Sequence, residues 1–464
     1  MTLTSTEPGA LHFRRAFALV VVLLLLFCTG LGVVAFFQGP KLASAQVDTT
    51  GVVDQSGQQL RLFANQSVAH VNKSQVTITP PVDFSVTTSG ALISVQFDER
   101  LWYATDYQVR IAGVTSVYEA RPSTLSYRFI TETPTVYFLH RGQPDDQIVA
   151  TGLTGSARSV VYSAQSIQSF VVLPGALAVA TVANDGTSRL SIVNRVDGTV
   201  SSVPLPASGA LEQLQGAESS SLLGFTFTSH SPADGSSDLH PEFTSTLFTF
   251  DLRAGGTPQP VLGIDGKPLR VFSWMFVPGT ATVVALNREL SLLTVDPATA
   301  SVLPIGQYSE LEHISTDGTR LALTDQRGSI ALSLADNSAT RLKASPMDGG
   351  TPYLGAFQVL RNGDRIEHIS LFQDATGRFS TRLVYDDGAT SRLLYQTHAD
   401  TGSIESFSVS PNEQYVAIET IPDLGARVSD GYTVEPRATT ITTIIVDVAT
   451  GKIVRGVEGF DLTW

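Results

Sequence analysis

The side chains best suited to chemistry are carboxylates and histidines. The densest group lies between Ser229 and Glu242, where His230, Asp234, Asp238, His240 and Glu242 fall close together. Imidazole and carboxylate oxygen could converge on a cation, but the spacing matches neither a zinc nor an EF-hand pattern, and Ser, Gly and Pro fill the intervals, so the segment is read as a loop. His70, His140, His313, His368 and His398 are scattered singly and are read as satisfied or solvent-facing. Asp145-Asp146 and Asp386-Asp387 are adjacent, and neighbours along an extended chain point apart, whereas an acid and a base must meet at one substrate atom. Both pairs sit beside turn formers and are read as turn chemistry. No Gly-x-Ser-x-Gly elbow exists to expose a serine nucleophile. No residue is therefore assigned a catalytic, cofactor-binding or metal role. One more segment stands out: Ile421 to Ala438 carries Asp423, Arg427, Asp430, Tyr432, Glu435 and Arg437. Mixed charge and an aromatic on a long loop suit contact with a partner.

The elements that position these residues are legible in outline. From Ala16 to Phe37 runs an uncharged stretch of 22 residues, which as a helix at about 1.5 Å per residue covers a hydrocarbon core of roughly 30 Å. Arg14 and Arg15 precede it and Lys41 alone follows closely, which places residues 1–15 in the cytoplasm and the remainder outside, with the lipid bilayer as partner of residues 16–37. A competing reading is a cleaved secretory signal, since Ala43-Ser44-Ala45 fits a small-residue cleavage site. Cys28 is the single cysteine, so the outer part holds no disulfide, thiol nucleophile or cysteine-bound zinc. Phe27 before it is too bulky for a lipoprotein signal. Setting Glu7, Arg14 and Arg15 aside from 30 basic and 43 acidic residues leaves the outer part at net charge −14. With no basic tract, nucleic acid is excluded as the main partner.

After a linker at 38–46, the chain reads as all-β: short runs rich in Val, Ile, Thr, Tyr and Phe, punctuated by Gly, Asp, Asn and Pro. Residues 47–132 hold candidate strands at Gln59 to Phe63, Gln75 to Ile78, Ala91 to Phe97, Tyr107 to Ile111 and Ser126 to Thr131, which suits a two-sheet sandwich. The stretch Val76 to Val114, with Leu101, Tyr107, Val109 and Ile111, closed by Tyr127-Arg128-Phe129-Ile130-Thr131, resembles the bacterial Ig-like domains of surface-layer and cell-envelope proteins. That resemblance implies a spacer or adhesion-like module.

Residues 133–464 repeat. Apolar residues seven positions apart bracket polar turns at Val172/Val179, Phe276/Val283, Ile314/Leu321, Val359/Ile366 and Val409/Val416, with weaker copies beginning near Ile130 and Gln215. A strand ending in Asp or Asn before a small-residue turn follows most copies, as at Asn194, Asp251, Asp296, Asp386 and Asp447. Two hairpins per repeat make a four-stranded blade, and the spacing of about 46 residues predicts a β-propeller of about seven blades. The apolar ending Gly459-Phe460-Asp461-Leu462-Thr463-Trp464 is expected to pair with the first blade and close the ring. The turns Ser315-Thr316-Asp317-Gly318-Thr319-Arg320-Leu321-Ala322 and Ser410-Pro411-Asn412-Glu413-Gln414-Tyr415-Val416-Ala417 resemble those of WD40-like propellers of the TolB type, although no Trp-Asp dipeptide is present. The resemblance implies an architecture for binding protein or ligand. The expectation is a membrane-anchored binding or scaffold protein of the cell envelope; the alternative is an envelope-polymer hydrolase or lyase using carboxylates gathered in the propeller funnel.

Overall fold

The computed structural model describes residues 13, 15–27, 39–142, 144–217, 221–230, 243–373, 378–397 and 401–464. Residues 15–27 are helical, and the remainder of the expected span, 28–37, lies outside the described residues. Among the described residues no helix is long and apolar enough to cross a membrane. The chain divides into two compact units, Met1–Glu132 and Thr133–Trp464.

The first unit contains seven strands: β1 (Leu42–Gln46), β2 (Gln59–Ala64), β3 (Val76–Thr79), β4 (Phe84–Ser89), β5 (Leu92–Phe97), β6 (Asp106–Val114) and β7 (Ser123–Ile130). They form two antiparallel sheets, β1-β2-β5-β4 and β3-β6-β7. Period-two alternation turns Leu60, Leu62, Ile93, Val95 and Phe97 from the first sheet, and Tyr107, Val109, Ile111 and Phe129 from the second, into one core. The Phe97 and Phe129 rings meet across the gap with centroids 6.2 Å apart. The Tyr107 hydroxyl accepts from the Trp102 backbone N–H at 3.1 Å, pinning the corner before β6. Residues Leu42–Gln46, within the segment read as linker, form β1; their small and polar side chains, mostly exposed, carry little hydrophobic pattern to announce a strand.

The second unit contains seven four-stranded antiparallel sheets. Blades 2 to 7 each take four consecutive strands, with first strands Ile167–Leu173, Gly209–Gly216, Val271–Phe276, Glu310–Ile314, Tyr353–Val359 and Ser403–Val409. Blade 1 is built from Thr135–His140, Asp146–Gly152 and Ser159–Ala164, with the closing strand Phe460–Thr463 added along Thr135–His140. This corrects the weak repeat near Ile130: that residue ends β7, and the first strand of blade 1 comes from the far end of the sequence. First strands of successive blades touch from the closing strand round to blade 6, and the closing strand also touches blade 7, so they line the centre of a ring. The arrangement is a seven-bladed β-propeller closed by its last strand.

The expected turn chemistry holds the blades together. Asn194 accepts from Val196 N at 2.8 Å, Asp251 from Arg253 N at 2.8 Å, Asp296 from Ala298 N at 2.9 Å and Asp447 from Thr450 N at 2.8 Å. The Arg253 bond holds the Asp251 carboxyl below its ordinary range, and the Thr299 hydroxyl, donating at 2.8 Å, followed by the Ala298 bond, does so for Asp296. Blades pack closely on one another: Trp274 of blade 4 approaches blade 3 so nearly that a Cβ at Gly224 would lie 2.3 Å from its ring.

Candidate functional site

Strand direction alternates within each blade, so the starts of the first strands share a face with the turns joining second to third strands. At that mouth every first strand is irregular. The pairing to the second strand slips between Phe460 and Thr463, Ile167 and Ser169, Glu212 and Gln215, Val271 and Ser273, Leu311 and His313, Leu354 and Phe357, and Ile404 and Ser406. A bulge inserts one unpaired residue and re-aims its side chain. The slips therefore set aside Gln168, Phe272, Glu312 and Glu405 singly, and segments containing Asp461, Gln213 and Gly355, around one end of the channel. Asp461 and Gln213 take left-handed φ values of 53° and 52°.

The loop 421–438, which joins the second and third strands of blade 7, folds over part of this mouth. Its later half is locked by charge. Arg141, with a side chain only 4% exposed, reaches Asp146 at 3.0 Å and Asp430 at 3.0 Å, and donates to the Ile167 carbonyl at 2.7 Å. The Tyr432 ring lies 3.9 Å from the Arg141 guanidinium carbon, and the Tyr432 hydroxyl donates to Asp146. Burial, followed by that bond, pushes the Tyr432 phenol up to about 12. Glu435 accepts from Gln168 Nε2 at 3.0 Å and from Gln213 N at 2.9 Å. Arg437 bridges Asp461 at 2.7 Å and Glu419 at 3.2 Å. Glu419 also accepts from Asp461 N at 2.6 Å and Ser406 Oγ at 2.9 Å, and burial, then the Asp461 charge, raises its carboxyl. Ala438 and Ile441 enter the same buried cluster as Tyr137, Leu139, Ile148 and Phe460.

The earlier half, 422–429, is exposed. Asp423 caps a 3-10 turn over Leu424–Ala426 by accepting from Gly425 N at 2.9 Å, and Thr439 N donates to the Val428 carbonyl at 2.8 Å, fixing where the tip begins and ends. Leu424 and Val428 are 48% and 56% exposed. Of the six residues that marked this loop in the sequence, Asp430, Tyr432, Glu435 and Arg437 thus bind the propeller itself, while Asp423 and Arg427 lie in the tip.

Among the described residues, the loop 421–438 leaves the other arc of the mouth uncovered. The Arg288 guanidinium carbon lies 4.5 Å from the centre of the half-exposed Phe272 ring, and Arg288 Nη2 donates to Ser245 Oγ at 2.6 Å. Glu212 is raised by burial and then by Glu435, with Arg288 opposing. On blade 5 Glu312 is pushed up to about 7, first by burial and then by a hydrogen bond with Glu310. At the opposite face the channel is tied: Glu413 accepts from Thr316 Oγ1 at 2.5 Å and Arg361 N at 2.8 Å, joining turns of blades 5, 6 and 7. The His313 ring lies 5.0 Å from Phe407, and its burial drives the imidazole down to about 4, which keeps it neutral.

The remaining sequence candidates separate. Of the Ser229 to Glu242 segment, residues 231–242 lie outside the described residues, and among the described residues no three His, Cys, Asp or Glu side chains could hold a metal ion. Asp387 is a turn residue, accepting from Thr390 N at 2.7 Å, whereas its neighbour Asp386 is fully buried on Arg365 at 2.8 Å and Ser345 N at 2.8 Å. Asp146 is likewise more than a turn former, since it anchors the blade 7 loop. His140 Nδ1 lies 3.1 Å from the Glu458 carbonyl, and His398 is outside the described residues.

No family model matches the chain, and a search of curated proteins finds no relative. Among solved structures, it is similar to an oligogalacturonate lyase in complex with manganese, with TM-score 0.44 and 11% identity over 65% of this chain and 83% of that one. The β-propeller domain of the Trilobed protease from Pyrococcus furiosus gives 0.43 and 11% over 76% and 95%, and TolB from Acinetobacter baumannii 0.36 and 12% over 84% and 81%. Likenesses of this size carry no argument about chemistry; the propeller rests on the strand pairing described above.

Proposed function

We propose that this chain is a membrane-anchored binding or scaffold protein of the cell envelope, whose propeller presents the bulged mouth and the 422–429 tip to a protein or envelope ligand outside the cell. The observation that carries the reading is the division of one loop into a locked half and an exposed half. Taking Arg141, Asp146 and Asp430 out of water is costly, and such groups persist when several bonds satisfy them together. Here that lock fixes the position of a tip bearing two exposed aliphatic side chains, as a preorganised contact surface requires. The N-terminal unit serves as an Ig-like spacer; in support, its two sheets run β1-β2-β5-β4 and β3-β6-β7 with a tyrosine pinning the corner before β6. Residues 16–37 span the bilayer with the N-terminus cytoplasmic; in support, the described apolar side chains of 17–27 are exposed. The test is crosslinking in intact cells of full-length protein against a variant whose tip, 422–429, is replaced by Gly and Ser. A recurrent partner seen only with the native tip supports the reading; an unchanged set of partners, or none, ends it.

A second reading, an envelope-polymer hydrolase or lyase, is favoured by one observation. Glu312 and Glu310 form a hydrogen-bonded carboxyl pair at the channel mouth, with Glu312 poised near neutral pH for proton transfer. Its test is depolymerisation of envelope glycans by the purified protein against Glu312→Gln. Activity that is lost in the variant establishes it, and no activity at any pH from about 5 to 8 dismisses it.

A further inference from the structure

The Ala43-Ser44-Ala45 sequence offers two fates, a cleavage site or part of the folded chain, and β1 bears on the choice. The strand pairs antiparallel with β2 through Leu42↔Ala64, Ser44↔Phe63, Ala45↔Leu62 and Gln46↔Arg61. Residues before it are also built in. Asn65 N donates to the Lys41 carbonyl at 2.9 Å, and Lys41 N donates to Asn65 Oδ1 at 2.8 Å. The carbonyl of buried Pro40 accepts from Ser123 Oγ at 2.6 Å, reaching β7 in the opposite sheet. Gly39 packs so tightly that an added Cβ would lie 3.0 Å from the Arg121 carbonyl. Residues 39–46 therefore join one sheet along its edge and touch the other.

We propose that the chain is not cut after Ala45, and that the folded sandwich begins at Gly39 and stays covalently joined to residues 16–37. A cut there would leave Gln46 alone of the strand and strip β2 of its outer neighbour. The backbone groups of residues 61–64 would become an open edge flanking the buried Leu60 and Leu62, the kind of edge that recruits other chains. The small side chains at 43 and 45 are those of a mostly exposed edge strand.

The inference about the cut stands on strand pairing; the location of the uncut chain rests on the membrane-anchored reading. Both are tested by expressing full-length protein with a C-terminal tag, separating membrane from soluble fractions, and mapping tryptic peptides. Trypsin cuts after Lys41 and Arg61, so the peptide 42–61 contains the bond after Ala45. The expected result is intact 42–61 in the membrane fraction, at least about tenfold over any peptide beginning at Gln46 or its cyclised form. Intact 42–61 in the soluble fraction would uphold the uncut bond after Ala45 and overturn the join to residues 16–37, and with it the anchor. A predominant peptide beginning at Gln46, in either fraction, would overturn the proposal.

Discussion

The mouth of the propeller carries the same backbone device in every blade and uses it in two ways. On blades 1, 2 and 3 the bulged segments hold Asp461, Gln168 and Gln213, and each of these bonds to the 421–438 loop or to the charges that lock it. On blades 4 and 5 the bulged residues are Phe272 and Glu312, which among the described residues make no bond to that loop; one stacks with Arg288, and the other shares a hydrogen bond with Glu310. The contrast teaches that a bulge only aims a side chain. What the side chain meets decides whether it becomes structure or surface.

Breaking the covered arc should have the largest effect. Asp430→Ala leaves Arg141 buried with half its charge partners, and loss of one partner from such a cluster costs about 3–5 kcal/mol. The expected outcome is a fall of roughly 4–7 °C in the propeller's thermal midpoint, measured by calorimetry, with the tip losing its ordered attachment. Tyr432→Phe removes the hydroxyl bonds to Asp146 and Ser166 while keeping the ring over Arg141, so it should cost only about 1–2 kcal/mol, read from the denaturant midpoint. If Asp430→Ala proves as mild as Tyr432→Phe, the charge lock is not what holds the cover.

The uncovered arc should respond to pH. Glu312 has a folded pKa raised to about 7 from an ordinary 4.5, so the folded state binds more protons than the unfolded state between these values. Stability contributed by this group is present at low pH and is lost as pH rises through about 7. Glu367, buried beside Arg365 in blade 6 and also pushed up to about 7, works in the same direction. Comparing urea midpoints at pH 5 and 8, Glu312→Gln should flatten part of the decline seen in the native protein; an unchanged slope would remove Glu312 from the account. The smallest effect belongs to the tip. Leu424→Ser with Val428→Ser should change stability by less than about 0.5 kcal/mol, since exposed side chains away from packing contribute little.

Much of the scaffold was legible because it is local. The seven-residue bracket around each turn and the Asp or Asn closing the third strand are set by nearest neighbours, and Asp296 and Asp447 make the bonds their positions imply. The closing strand was legible from the apolar ending, although the inner strand of blade 1 was also sought near Ile130. β1 was missed because Ala43, Ser44 and Gln46 give no alternation to read. The covered mouth was legible only as a set of residue types. Tyr432 and Asp146 are 286 positions apart, and no spacing rule links them. Loop 421–438 was therefore picked out for the right chemistry but with its inner and outer halves undivided. Asp386 shows the same limit: its turn role could be read, whereas its ion pair with Arg365, formed across paired strands, could not.

The most direct test places a photo-reactive amino acid at Leu424 in the tip, at Phe272 on the uncovered arc, and at Val196, a 90% exposed control in a turn of blade 2, and irradiates intact cells expressing each full-length protein. The account predicts adducts of one common size from positions 424 and 272 and none from 196. Equal labelling at all three positions, or labelling at 196 alone, would contradict it.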